Sequence, residues 1–282
     1  MIKRILIPLD PSPYTDSALE IGTAMAKINN ARLTGLVVLD IPGIEKSIGP
    51  VPLGGLYYAE KMEKAHRQKA ETRIHELLQK FRQKCESAGV EFQEAELQGS
   101  PSERIIRESI FYDAIIIGMR TYFHFETQDT PGDSLEKVLD QTITPVYAVP
   151  EKLVIPHLTD EKMNVLIAFD GSLPSARAMQ RFAQLAPVDV FNVRLLISEP
   201  DEKKAHYYLN QAEIYLNCHN VNQVQQEWIR EDIIEAIDEN YLDWAHILVV
   251  GAHSKSGLFG FKVGSLTRHL IKLARKTILI GQ

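Results

Sequence analysis

The sequence predicts an α/β protein built as two tandem doubly wound domains, each a five-stranded parallel sheet flanked by helices. Three observations carry that prediction. Apolar runs suited to buried strands alternate with helical stretches along all 282 residues, the pattern of parallel sheets assembled from βαβ units. The second half repeats the first at fixed offsets: Asp10 and Asp170 lie 160 positions apart, while Cys85 and Cys218, Gly118 and Gly251, and Thr144 and Thr277 each lie 133 apart. A single shortening by 27 residues, with the Pro/Gly-rich stretch 42–55 as the candidate place for it, reconciles both offsets and argues for duplication of one domain. Finally, residues 165–172 (VLIAFDGS) and 251–267 (GAHSKSGLFGFKVGSLT) place two glycine-punctuated turns after two apolar strands. Doubly wound sheets bind ligands at such strand ends.

Residues 2–9, apolar apart from Lys3 and Arg4 near the start, suit a strand buried on both faces, and Pro11 and Pro13 turn the chain. Ala18, Ile21, Ala24, Met25 and Ile28 then recur at helical spacing before a second strand over 33–39. Residues 40–59, rich in glycine and proline, read as a long loop, and 60–88 as a long charged helix with a solvated face. The alternation over 90–97 predicts a strand nearer an edge, and 101–109 a helix with Pro101 in its first turn. A strand over 114–117, a helix from about 134 and a strand over 145–149 complete the first repeat. The second repeat has strands at 165–169, 193–197, 224–229, 247–250 and 277–280. The expected domains are therefore 1–150 and 163–282, joined by a linker over 151–162.

Composition narrows the function. A net charge of −6 gives no global basic field to attract nucleic acid or an anionic membrane. No apolar run approaches the ~18 residues of a membrane span, and MIKRILIPLD reads as a strand and not as a signal peptide. The two cysteines form no CxxC pair, fit a reducing compartment and read as core packing near helix ends. A cytoplasmic protein is expected.

The residues at the second pair of turns resemble those of a known family. Gly251 is followed by Ser254, then nine residues, then Gly264 and Ser265, with His253, Lys255, Ser256, Gly257 and Leu258 around them. On these motifs, and on Asp170-Gly171-Ser172, the chain resembles a tandem member of the universal stress protein family, within the wider group of adenine-nucleotide-binding α/β folds. Ser254 stands where that family's nucleotide-binding subset has a second glycine. The resemblance implies a stress-response protein that binds ATP, with Mg²⁺ a candidate companion. It also implies that Ala168, Asp170 and Ile197 hold the adenosine, with Val250 flanking it, while Gly251, Ser254, Gly264, Ser265, Leu266 and Thr267 hold the phosphates. It further implies pairing of the final strands of the two repeats, 145–149 with 277–280, making the monomer a built-in dimer that can form a homodimer with a second chain.

Physical chemistry supports the phosphate end independently. Glycine permits close backbone approach, and Gly264 and Ser265 open a helix whose free N–H groups and dipole favour an anion. Ser265 and Thr267 add hydroxyls. Residues 251–268 carry Lys255, Lys262 and Arg268 and no acid, whereas 118–136 carry Arg120 against Glu126, Asp129, Asp133 and Glu136. At the constant offset Pro131 and Gly132 replace Gly264 and Ser265, and proline lacks a donor. The first repeat is thus expected to bind no polyphosphate, its aromatic loop Tyr122, Phe123, His124 and Phe125 instead packing or covering something.

Neither a P-loop, a GxGxxG fingerprint nor a GxSxG elbow occurs, so any catalysis would be at most slow ATP hydrolysis. No metal site is read from the lone carboxylates Asp10 and Asp170. The rival reading is a nucleotide-free scaffold or sensor that binds a protein or small apolar ligand through 40–59.

Overall fold

The computed structural model describes residues 1–51, 54–123, 134–153, 162–187, 190–252 and 263–282. The expected α/β architecture is borne out. The chain divides into two compact units, Ile2–Thr142 and Ile143–Gln282, with Met1 grouped with the second.

The first unit contains β1 (Arg4–Pro8), α1 (Tyr14–Asn29), β2 (Arg32–Leu39), α2 (Ile41–Ile48), α3 (Leu56–Ala88), β3 (Phe92–Gln98), α4 (Pro101–Ser109), β4 (Ala114–Gly118) and α5 (Ser134–Gln141). Its strands run in the order β3-β2-β1-β4, and the β3–β2, β2–β1 and β1–β4 pairings are all parallel. Ile5, Leu6, Ile7, Leu36, Val37, Val38 and Ile115 to Ile117 are all but inaccessible, which explains why these strands read as continuous apolar runs. Two readings need correction. Residues 41–48 are helical and not loop, because Asp40 caps the helix by accepting from the Gly43 N–H at 3.0 Å, and Pro42 sits in the first turn, where proline is tolerated. The long helix starts at Leu56, four residues before the expected 60, and buries only Ala70, Ile74, Leu77, Phe81 and Cys85.

The second unit contains β5 (Val146–Val149), β6 (Met163–Ala168), α6 (Leu173–Leu185), β7 (Phe191–Ser198), α7 (Glu202–Cys218), β8 (Val224–Ile229), α8 (Ile233–Ala236), a π-helical turn (Ile237–Tyr241), β9 (Ile247–Gly251), α9 (Ser265–Leu273) and β10 (Thr277–Gly281). Its order is β5-β10-β9-β6-β7-β8. The β10, β9, β6, β7 and β8 pairings are parallel, but β5 pairs antiparallel with β10, setting Ala148 opposite Ile278. The final strands of the two repeats therefore do pair; among the described residues each repeat supplies five strands, and β5 of the first is grouped with the second compact unit. The packing explanation for cysteine holds for Cys85, which is buried, and fails for Cys218, the last residue of α7, which is exposed. Among the described residues no helix is long and apolar enough to cross a membrane.

Candidate functional site

In the second unit, β6 delivers Ala168 to its carboxyl end, and Phe169 and Asp170 follow. The turn that comes next requires a left-handed residue, Gly171 at φ 70°, and the Tyr208 ring occupies the space a Cβ would need. Asp170 Oδ1 accepts from the Ser172 N–H at 2.9 Å and from the Ser175 hydroxyl at 2.7 Å. Ser172 in turn caps α6, accepting from the Ser175 N–H at 3.4 Å. The carboxylate is therefore oriented by a local circuit before any ligand arrives.

Gly251 ends β9 against the start of α6. A Cβ there would lie 2.7 Å from the Pro174 carbonyl carbon and 2.8 Å from the Ser175 nitrogen, so this glycine is required for close packing of strand and helix. Gly264 differs from expectation. It adopts φ −60° and ψ 157°, which any residue tolerates, and its N–H donates to the Ala252 carbonyl at 3.0 Å. The Thr267 hydroxyl, expected as a phosphate donor, donates instead to the Gly251 carbonyl at 2.7 Å and is 1% exposed. What the helix does offer is its amides. Among the described residues no side chain caps α9; the N–H groups of Ser265, Leu266 and Thr267 precede the first intrahelical bond, donated by Arg268 to the Gly264 carbonyl, and no acid stands in the first turn. That is the electrostatic setting in which a helix start receives an anion.

These elements enclose a cavity of about 290 Å³, at the lower end of the range for ligand pockets. Of the residues expected from sequence, Ala168, Asp170, Val250, Gly251, Gly264, Ser265, Leu266 and Thr267 line it together. Ile197 does not. It is 0% exposed within β7, and Ser198, the next residue, stands on the wall instead, as the alternation of a strand dictates. Ser254 lies outside the described residues, as do His253, Lys255, Ser256, Gly257, Leu258 and Lys262. Phe169 and Ser172, read from sequence only as part of the turn motif, also line the cavity, as do Ser175, Ser198, Asp232 and Ile233, which sequence reading left out. Ser175 was recoverable from the repeat itself, because Asp170, Ser172 and Ser175 sit 160 positions after Asp10, Ser12 and Thr15. Asp232 was recoverable as a helix cap three residues before Glu235.

The first unit copies the circuit in a buried setting. Asp10 Oδ1 accepts from the Ser12 N–H at 3.1 Å, from the Ser12 hydroxyl and from the Thr15 hydroxyl at 2.9 Å. Its Oδ2 accepts from the Tyr122 N–H, so the loop after β4 folds onto the carboxylate. Asp10 is 4% exposed, and burial pushes its pKa up against the hydrogen bonds from Ser12, Tyr122 and Thr15 that lower it. Phe123 is buried beside this loop, in keeping with the packing expected of the aromatic stretch; His124, Phe125, Pro131 and Gly132 lie outside the described residues. Glu136 stands in the first turn of α5, where α9 has no acid.

The universal stress protein family model matches residues 1–150, more than half of the chain. The chain belongs to the universal stress protein family. Among solved structures it is similar to a universal stress protein from Archaeoglobus fulgidus, with 19% identity, 99% of this chain and 96% of that chain covered, and a TM-score of 0.71. It is also similar to a functionally unknown protein from Pseudomonas aeruginosa, with 15% identity, 99% and 92% covered, and a TM-score of 0.55. At these identities the two structures speak to the fold shared with the family. No curated protein matches the chain.

Proposed function

We propose that this universal stress protein binds ATP in the cavity of its second unit, with the phosphates at the start of α9 and the nucleoside toward Asp170, and that the bound nucleotide stabilises or switches an interaction surface in a cytoplasmic stress response. The observation that carries this reading is the first turn of α9, which no side chain among the described residues caps and whose three amides lack intrahelical partners, lining the same cavity as a pre-oriented carboxylate and the ends of β6 and β9. Bound Mg²⁺ and further pairing of whole chains into a homodimer belong to the same proposal, and no catalytic residue is assigned.

The test is thermal denaturation of nucleotide-stripped protein with and without millimolar ATP and Mg²⁺, using Gly264→Val as the comparison. The backbone at 264 accepts valine, so the variant adds a side chain to the cavity wall without forcing a strained turn. ATP is expected to stabilise the wild type by about 2.7 kcal/mol at a hundredfold excess over Kd, and the variant much less. Equal behaviour of the two proteins, or no stabilisation of either, contradicts the proposal.

One observation favours the rival scaffold reading. Leu56, Tyr57 and Tyr58, at the start of α3 within 40–59, are each at least 65% exposed and give that segment an apolar surface. Replacing all three with serine would abolish partner capture under the scaffold reading and leave ATP binding untouched under the nucleotide reading.

A further inference from the structure

We propose that Asp232 selects the nucleoside, its carboxylate accepting a hydrogen bond from a donor on the ligand, either a ribose hydroxyl or an exocyclic amine of the base. The inference rests on the nucleotide reading of the cavity and adds a specificity residue to it.

Strand order gives the cavity two unlike ends. Along β9-β6-β7-β8, α9 starts after β9, Asp170 follows β6, Ser198 ends β7, and Asp232 lies three residues beyond β8. With neighbouring strands ~4.8 Å apart, the three intervals separate the flanks by about 14 Å. One flank presents the amides of the first turn of α9, which have no intrahelical partners, and receives the anion. The other presents a carboxylate, which repels phosphate and accepts from neutral donors, so the ligand is held in one direction.

Asp232 is built for that role. Its Oδ1 is occupied by the α8 cap, accepting from the Ile234 N–H at 2.8 Å and the Glu235 N–H at 3.3 Å. Those two bonds fix the plane of the carboxylate, and Oδ2 accepts no hydrogen bond from the described residues. An ionised carboxylate oxygen can only accept, so it discriminates for a donor and against a carbonyl at the same place. The nearby Ser198 hydroxyl donates to the Glu231 carbonyl at 2.7 Å, and its neutral oxygen is a weaker acceptor than a carboxylate. Ile233, the next residue, gives the same flank an apolar surface.

The test is calorimetric titration of the full chain, wild type and Asp232→Asn, with ATP, 2′-deoxy-ATP, 3′-deoxy-ATP and inosine triphosphate, which replaces the exocyclic amine with a carbonyl. Asparagine keeps the capping oxygen, since it is as good an N-cap as aspartate, but presents an amide donor in place of Oδ2. At least one analogue is expected to bind the wild type roughly tenfold or more weakly than ATP, and in Asp232→Asn ATP falls toward that analogue so that the gap closes. The identity of the analogue tells sugar from base. If the four ligands bind the wild type equally, or every gap survives in Asp232→Asn, the assignment of Asp232 is overturned while the nucleotide reading stands. If none of the four binds, the nucleotide reading is overturned and this inference with it. Melting of Asp232→Asn by circular dichroism, expected to be unchanged, separates ligand recognition from loss of the cap.

Discussion

Asp10 and Asp170 are the same residue of one repeated unit, each held by a serine two positions on and a hydroxyl five positions on, yet one is 4% exposed and the other lines a cavity. Among the described residues the two differ in what borders them. After β4 the backbone turns back and Tyr122 donates its N–H to Asp10 Oδ2. After β9 the uncapped start of α9 faces the opening beside Asp170. A duplicated strand-end carboxylate thus serves as a buried structural acceptor in one unit and as a wall of the candidate site in the other. The motif itself is no predictor of binding; what stands opposite it decides.

Substituting the paired glycines should have the largest effect and should treat the units alike. Gly118 meets Tyr14 Cβ and Gly251 meets the backbone of Pro174, at 2.5 and 2.7 Å from an added Cβ. Gly118→Val and Gly251→Val are each expected to lose about 3 kcal/mol in urea unfolding, because neither partner can move aside cheaply. Only minor losses at both would show that these close approaches are not what the strand ends depend on.

The aspartates should then separate the units. Asp10→Ala strands the Ser12 and Tyr122 amides and two hydroxyls in a buried setting, for an expected loss of about 3 kcal/mol, whereas Asp170→Ala strands the Ser172 amide and the Ser175 hydroxyl on the wall of a cavity that water can enter and should lose about 1 kcal/mol. Equal losses would erase the distinction between closed and open units. Ser265→Glu gives α9 an acid in its first turn, as Glu136 gives α5. It is expected to leave stability within about 0.5 kcal/mol and to weaken ATP tenfold or more. Retained affinity would remove the phosphates from the helix start.

The smallest effect is a pH slope. Burial raises the Asp10 pKa in the folded protein above its ordinary 3.8, so the native state keeps this proton to a higher pH than the unfolded chain. Asp10's contribution to stability is therefore greatest below 3.8 and is lost as the pH rises through the raised native value. Unfolding free energies measured from pH 4 upward should show this component in the wild type, and Asp10→Asn should lack it. An identical pH profile for the two proteins would mean that Asp10 is ionised throughout.

Much of the fold was legible because parallel strands buried on both faces must be apolar throughout, as Ile115 to Ile117 and Val249 to Val250 are. The helix over Ile41–Ile48 was hidden by Pro42 and Gly43, which read as breakers unless Asp40 is recognised as a cap. At the site, residues on strand ends and at the α9 start were legible from glycine spacing. The closure of Asp10 was not, since its decisive donor is a backbone N–H that any residue but proline supplies. Thr267 and Gly264 were legible as neighbours of the cavity but not in their bonding, because each is engaged with backbone brought in from β9 and the residue after it.

The central claim, one open unit and one closed, is tested most directly by the stoichiometry of ATP binding to the nucleotide-stripped chain, measured by isothermal titration calorimetry. The account predicts one site per chain, weakened by Ser265→Glu and indifferent to Arg120→Ala in the first unit. Two equivalent sites would show that the Asp10 unit opens to ligand, and no heat at millimolar ATP would show that the Asp170 cavity does not receive one.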